Sequence, residues 1–292
     1  MVRILLGLLA CSTLAQATPL VIVPVLGATN DINGPAYAPN ASQSGVARLL
    51  FAGGGCSGAA ISLTAVLTAA HCVSGAANLA SASFTDSGLN TATFNVASFL
   101  VHPSWIGTGD VLTQVDLALV FLTSPLASWV SIYDLYAHTD ELGQTYTVAG
   151  YGRRASGTPT AAGVQGSAGE FGELRVGDNI WERTQALNGV VRSDVLISVF
   201  NQPGNAAVAR EVTVAPGDSG GPSFLGNRVA GVTSFMAAPM FPIGSYGDLN
   251  GMTRVSSHTA WITSNVPEPA NFGLAGVALC WLWAKRRASA NS

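Results

Sequence analysis

Lysine is almost absent: the 292-residue chain has one, at position 285, and charged residues make up only 10% of it. A soluble domain usually carries about 25%. Between residues 18 and 266 there are nine arginines, no lysine and fifteen acidic residues, a net charge of −6. So sparse a supply of cations excludes a broad basic footprint for nucleic acid. Disorder is excluded by the opposite balance, because 48% of the residues are apolar and the net charge of the whole chain is only −3. Cysteine is scarce too, with four in all and two between 18 and 266. Two cysteines and four scattered histidines form no zinc constellation, so neither a metal nor another cofactor is expected. No amphipathic helical period appears before Val255, and no repeat of fixed length.

The two ends stand apart from the body. Residues 1–17 open with Met1-Val2-Arg3, continue through the apolar run Ile4–Ala10 and finish on Ala15-Gln16-Ala17. That is the layout of a secretory signal peptide, and it puts the mature start at Thr18. Leu8-Leu9-Ala10-Cys11 also satisfies a lipoprotein box, but its apolar stretch is only about six residues against the ~7–15 a signal needs. At the far end, Val266-Pro267-Glu268-Pro269 precedes the apolar run Ala270–Ala284 and the basic cluster Lys285-Arg286-Arg287. Fifteen helical residues span about 22 Å, short of a ~30 Å hydrocarbon core, and basic residues mark a cytoplasmic flank. This segment resembles the PEP-CTERM sorting signal of Gram-negative bacteria. The resemblance implies transient membrane insertion, cleavage by an exosortase-like enzyme, and release or surface attachment by way of the periplasm. A plain membrane anchor and a buried core helix are the alternatives. The expected division is a signal at 1–17, a body at 18–266 and a sorting tail at 267–292.

Export sharpens the reading of the cysteines. Cys56 and Cys72 are the two thiols of the body, and in an oxidising compartment they pair most readily with each other. The alternative is two buried free thiols. A closed loop of about 16 residues stabilises by roughly 3 kcal/mol in the chain-entropy model. Along the body, short apolar runs are bounded by Gly, Pro, Asn or Ser: Val46–Phe51, Ala59–Leu63, Val66–Ala70, Thr93–Leu100, Leu117–Leu122, Thr145–Ala149, Val195–Phe200 and Arg228–Phe235. Such runs read as strands of an all-β sandwich or barrel, with a short terminal helix over Val255–Asn265. Ala155–Gly169, built almost wholly of Ala, Gly, Ser and Thr, reads as a loop.

Three motifs carry chemistry. Thr68-Ala69-Ala70-His71-Cys72 ends a strand on a histidine, Asp116-Leu117-Ala118-Leu119 opens one on an acid, and Gly217-Asp218-Ser219-Gly220-Gly221-Pro222 sets a serine in a glycine-rich turn. Each alone has an ordinary explanation as a structural histidine, a solvated acid or a tight turn. Together they fit nucleophilic catalysis. A serine hydroxyl needs a base within hydrogen-bond reach, the base needs a carboxylate to fix its tautomer, and glycine lets backbone amides face a developing oxyanion.

In these motifs the chain resembles the trypsin-like serine proteases, over most of residues 32–265. Thr68–Cys72 matches the histidine motif and Cys56 the usual disulfide partner. Val101-His102-Pro103-Ser104-Trp105 resembles the segment before the acid, Gly150-Tyr151-Gly152 the stretch before the autolysis loop, and Gly217–Pro222 the nucleophile motif. The resemblance implies two packed six-stranded antiparallel β-barrels and a secreted endopeptidase acting on protein or peptide substrates through an acyl-enzyme. It makes His71 the base, Asp116 its orienting acid and Ser219 the nucleophile, with the amides of Gly217 and Ser219 as the oxyanion hole. Val232-Thr233-Ser234-Phe235 resembles the wall of the specificity pocket, where Ser234 would hydrogen-bond Asp116.

Two departures qualify the match. Thr213 stands six residues before the nucleophile, where an acid would be needed to pair with a substrate Arg or Lys, and Met236 stands where glycine is usual. With Phe235, these residues imply a preference for small or medium apolar side chains. The usual Ile-Val-Gly-Gly start is also missing. Its nearest match is Ile32-Asn33-Gly34 after Asp31, so 18–31 would be a propeptide and the new Ile32 ammonium would pair with Asp218. Two other classes compete. Gly217–Gly221 fits the Gly-x-Ser-x-Gly elbow of α/β-hydrolases, with Asp248 and His258 downstream, but Pro222 is a poor helix start and alternating helices are missing upstream. A catalytically silent, protease-like surface or binding protein would need no triad at all.

Overall fold

The computed structural model describes residues 38–266 apart from 52–53, 76–78, 108–112, 154–171, 188–189, 203–204 and 238–245. The signal at 1–17, the segment 18–37 with Ile32, the Ala155–Gly169 loop and the tail at 267–292 lie outside the described residues.

The first half is a β-barrel. Strands β1 (Val46–Phe51), β2 (Gly54–Ala60), β3 (Ala65–Thr68), β4 (Leu79–Thr85), β5 (Thr91–Val101) and β6 (Ala118–Leu122) close in the order β1-β2-β3-β6-β5-β4. Closure leaves no open edge, which removes the usual route to edge-to-edge association. All neighbouring pairs in it are antiparallel, with β1 set against β2 by Val46 opposite Ala59 and Leu49 opposite Cys56. The four residues of β3 are all fully buried, so its alternation is lost and it reads as a continuous apolar run.

The second half is one sheet of eight strands. β8 (Thr145–Gly150), β9 (Arg175–Ile180), β10 (Arg183–Leu187), β11 (Val190–Val199), β12 (Pro222–Leu225), β13 (Arg228–Ala237) and β14 (Leu249–Arg254) run in the order β10-β11-β14-β13-β12-β8-β9. A short β7 (Asp134–Leu135) pairs in parallel with β13. Its core centres on Tyr146 and Trp181, stacked with centroids 4.2 Å apart and both at most 1% exposed. One helix, α1 (Ala70–Val73), follows β3, and a 3₁₀ turn at Val255–Ser257 leads into α2 (Thr259–Asn265), the short terminal helix. Among the described residues no helix is long and apolar enough to cross a membrane.

Cys56 on β2 and Cys72 on α1 form a disulfide, with Cα atoms 6.1 Å apart. The bond ties the helix carrying His71 to the neighbouring strand. Six strands fall outside the apolar runs of the sequence: β4, β7, β9, β10, β12 and β14. The reason is plain in β14, whose six residues Leu-Asn-Gly-Met-Thr-Arg are all buried although four of them are polar or glycine.

Candidate active site

The end of β3 turns at once into α1, and this turn presents His71 with its side chain 18% exposed. Asp116 lies just ahead of β6 and is 1% exposed. The two meet twice. The His71 backbone N–H donates to Asp116 Oδ1 at 2.9 Å, and the ring Nδ1 shares a 2.7 Å hydrogen bond with Oδ2. From the second sheet, Ser234 Oγ donates to the same Oδ2 at 2.6 Å, and Thr253 Oγ1 donates to the Asp116 carbonyl at 3.1 Å. A buried carboxylate is thereby given donors from both halves of the fold.

This geometry sets the protonation chemistry. Burial disfavours the charged His71 ring, but the carboxylate beside it and their hydrogen bond outweigh that, and the imidazole is raised above its ordinary range. Burial likewise opposes ionisation of Asp116, yet the His71 charge and the bonds from His71 and Ser234 hold it below the usual carboxylate range. The pair suits a base that must accept a proton and carry the charge briefly.

Ser219 is 6% exposed in the turn before β12. Its neighbours Gly217 and Gly220 have φ of +98° and +77°. A Cβ on Gly220 would also lie 2.0 Å from Thr68 Oγ1, so glycine is required there by backbone conformation and by close approach together. The turn docks on β2: the Ser57 N–H donates to the Ser219 carbonyl at 2.8 Å, and Ser57 Oγ donates to the Gly217 carbonyl at 2.7 Å. The N–H groups of Gly217 and Ser219 donate to no protein acceptor among the described residues. No hydrogen bond joins Ser219 Oγ to His71 among those residues; the ring Nε2 instead lies 3.8 Å from Cys72 Sγ. Such bonds are often loose without substrate and tighten when it binds.

Thr213 and Met236 come together in the interior, both at most 2% exposed, whereas Phe235 packs separately against Val195, Ile197 and Leu249. Thr213 Oγ1 donates to Asn250 Oδ1 at 2.5 Å and lies 3.3 Å from Met236 Sδ. Asn250 Nδ2 donates onward to Ser198 Oγ at 3.2 Å. Asn250, Ser57 and Thr253 support the site without having stood out in the sequence, where each is a lone polar residue inside a strand. Cys56, His71 and Cys72 place ligand atoms within 4.8 Å of one another, but both sulfurs belong to the disulfide and offer no thiolate.

Asp218, beside the nucleophile, is 1% exposed. Its Oδ1 accepts from the Gly152 N–H and its Oδ2 from the Ala215 N–H, each at 2.8 Å. Those two amides do not offset burial, and its carboxyl is pushed up to about 7.

The trypsin family model matches residues 32–262 of the chain. The chain is 28% identical over 243 residues to fibrinolytic enzyme isozyme C of Lumbricus rubellus, covering 72% of this chain and 88% of that protein. It is 28% identical over 241 residues to serine protease 1 of Drosophila melanogaster, with 74% and 78% covered. An uncharacterized peptidase of Corynebacterium glutamicum is 27% identical over 260 residues, with 88% and 80% covered. Among solved structures, mouse neuropsin, a serine protease expressed in the limbic system, superposes with a TM-score of 0.59 at 21% identity, covering 78% of this chain and 96% of its own. HL collagenase gives 0.58 at 20%, with 79% and 97% covered, and both likenesses speak for the fold.

The raised Asp218 acid binds a proton that the unfolded chain has already released between about pH 4 and pH 7. Its contribution to stability is therefore full below pH 4 and is lost as pH rises to 7. His102, lowered to about 4 chiefly by burial, acts with the opposite sign from pH 4 to 6.5. The expected result is thus a difference: relative to Asp218→Asn, the full chain loses several kcal/mol between pH 4 and 7, at about 1.4 kcal/mol per pKa unit. Denaturant unfolding of both proteins across that range measures it, and parallel curves would refute the buried acid.

Proposed function

Since the chain belongs to the trypsin family, we propose that it is a secreted serine endopeptidase whose reaction runs through His71, Asp116 and Ser219. Family membership carries the peptidase activity and its protein or peptide substrates. The observation that best supports the residue roles is the doubly bonded His71–Asp116 pair, since a carboxylate on Nδ1 leaves Nε2 to take the serine proton. In the proposed cycle Ser219 Oγ attacks the peptide carbonyl as His71 accepts its proton. The oxyanion forms against the N–H groups of Gly217 and Ser219, and His71 returns the proton to the leaving amine. Water then repeats the sequence to hydrolyse the acyl-enzyme.

The missing hydrogen bond between Ser219 and His71 is the one feature that favours a silent, protease-like binding protein. A fluorophosphonate probe separates the two. We expect it to label Ser219, and Ser219→Ala to abolish labelling and lower peptide turnover by ~10⁴-fold or more. An unlabelled native protein would leave only the silent reading.

Among the described residues Thr213 Oγ1 meets Asn250 and Met236 and no carboxylate, so they give a substrate Arg or Lys no charge partner there. In a panel of peptides differing at the residue before the cut, turnover is expected to be fastest after small or medium apolar residues. Fastest cleavage after Arg or Lys would overturn this.

We also assign residues 1–17 to a signal peptide and 18–31 to a propeptide. Release of Ile32 supplies an ammonium for Asp218, whose buried carboxyl otherwise has only two amides. Residues 267–292 act as a PEP-CTERM-like sorting tail with transient membrane contact. Signal peptidase and an exosortase-like enzyme would process the two ends of a protein passing through a Gram-negative periplasm to the surface or medium. Mass spectrometry of the exported protein is expected to find Ile32 as its first residue and no residue from the apolar run Ala270–Ala284. An active form that begins at Thr18 would refute the activation step.

A further inference from the structure

A cleft of about 620 Å³ lies between the barrel and the second sheet, away from the catalytic residues, with Arg48, Tyr151, Leu174 and Arg175 in its walls. Ala38 and Pro39, where the described chain begins, stand at it as well. Arg175 is the chemically unusual member. It is 5% exposed, its Nη2 pairs with a Glu173 side chain that is itself 70% exposed, and its Nη1 has no hydrogen-bond partner. A guanidinium offers a planar fork that a carboxylate fills, and leaving one of its donors buried and unused is destabilising. The cleft is shaped around such cations: a Cβ on Gly172 would lie 2.7 Å from the Arg48 guanidinium carbon, and Gly172 has φ of +111°.

We propose that this cleft holds the chain's own N-terminal segment before processing, with the Asp31 carboxylate seated on the guanidinium of Arg175. Three observations point to this occupant over others. The segment enters the described structure at the cleft, through Ala38 and Pro39. Asp31 is the one charged residue between 18 and 37, and it is the carboxylate that segment can bring to Arg175 in a cleft whose walls are mostly polar and also carry Asp86 and Glu173. Six residues lie between Asp31 and Ala38, and an extended chain covers up to about 3.5 Å per residue, so Asp31 has a reach of up to about 25 Å from the point where the chain meets the cleft.

The pairing has a consequence for the active-site region. Arg175 acts electrostatically on Asp218, favouring its ionised form. Asp31 on Arg175 screens that influence, and removal of residues 18–31 restores it just when Ile32 becomes free to pair with Asp218. The neighbours Asp31 and Ile32 thus have neighbouring partners, one before the cut and one after. The docking itself does not depend on hydrolytic activity, so it can be tested in an inert protein.

The test uses the chain from Thr18 carrying Ser219→Ala, so that it cannot process itself. An endoproteinase that cuts before aspartate is added, and the rate of cleavage at Asn30–Asp31 is followed by mass spectrometry. Arg175→Gln is expected to speed that cut about tenfold, and Arg175→Lys, which keeps the charge, to stay within about threefold of the parent. Equal rates in all three proteins would overturn the proposal. Should Arg175→Gln fail to fold, Asp31→Asn provides the second arm: it is expected to lower the melting temperature of the Ser219→Ala chain by a few degrees, and to have no effect on a chain starting at Ile32 that is given the separate peptide 18–31 with asparagine at its end. Binding of that chain to the natural peptide 18–31 supports the proposal. Equal binding of an unrelated acidic peptide would show a general carboxylate site and overturn the assignment to Asp31.

Discussion

The burial of one negative charge governs this structure. Asp116 is 1% exposed, and an ionised carboxylate so placed is tolerated only if donors surround it. The donors to its carboxylate are the backbone and ring of His71 on α1 and Ser234 on β13, while Thr253 on β14 donates to its main-chain carbonyl. The His71 bonds lie within the first half, but those from Ser234 and Thr253 form only when the barrel and the second sheet are docked. The cost of leaving Asp116 without partners therefore ties the relative placement of the two halves to the chemistry at their junction.

The turn that carries Ser219 is tied in the same way. Ser57 on β2 reaches the carbonyls of both Gly217 and Ser219, and its Oγ accepts the Tyr151 N–H at 2.9 Å. One small buried side chain thus joins the barrel, the turn and the strand end at Tyr151. Gly220 lets that contact close, since any Cβ there would meet Thr68 and the Ser57 carbonyl. Among the described residues the Gly217 and Ser219 amides have no protein acceptor, which is what the oxyanion role proposed for them needs. Unlike Asp116, Asp218 is a charge the described residues do not fully provide for. Burial raises its carboxyl to about 7, and the nearby guanidinium of Arg175, itself buried with Nη1 unpartnered, acts against that rise.

The fold was legible where burial and apolar pattern agree. Val46–Phe51 reads as a strand and is one, and Leu117–Leu122, Thr145–Ala149 and Arg228–Phe235 differ from β6, β8 and β13 by two residues or fewer. Elsewhere the agreement fails for a physical reason. β2 begins in Gly-Gly-Cys-Ser-Gly, and β14 buries Asn250, Thr253 and Arg254, whose polar atoms are satisfied by partners far along the chain: Arg254 pairs with Glu141 and Thr253 with Asp116. No local window contains those partners, so no local pattern reveals such strands.

By itself the sequence determined the chemical types and their order: a histidine at a strand end, an acid opening an apolar strand, a serine among glycines, and two cysteines sixteen positions apart. These follow from short-range pattern, because a turn or a buried strand constrains its own residues. Only the tertiary structure decided which oxygen of Asp116 meets which nitrogen of His71, that Asn250 rather than Phe235 contacts Thr213, and that Ser57 braces the nucleophile turn. Those contacts join residues up to 160 positions apart, and their energy exists only once the chain has brought them to within 3 Å.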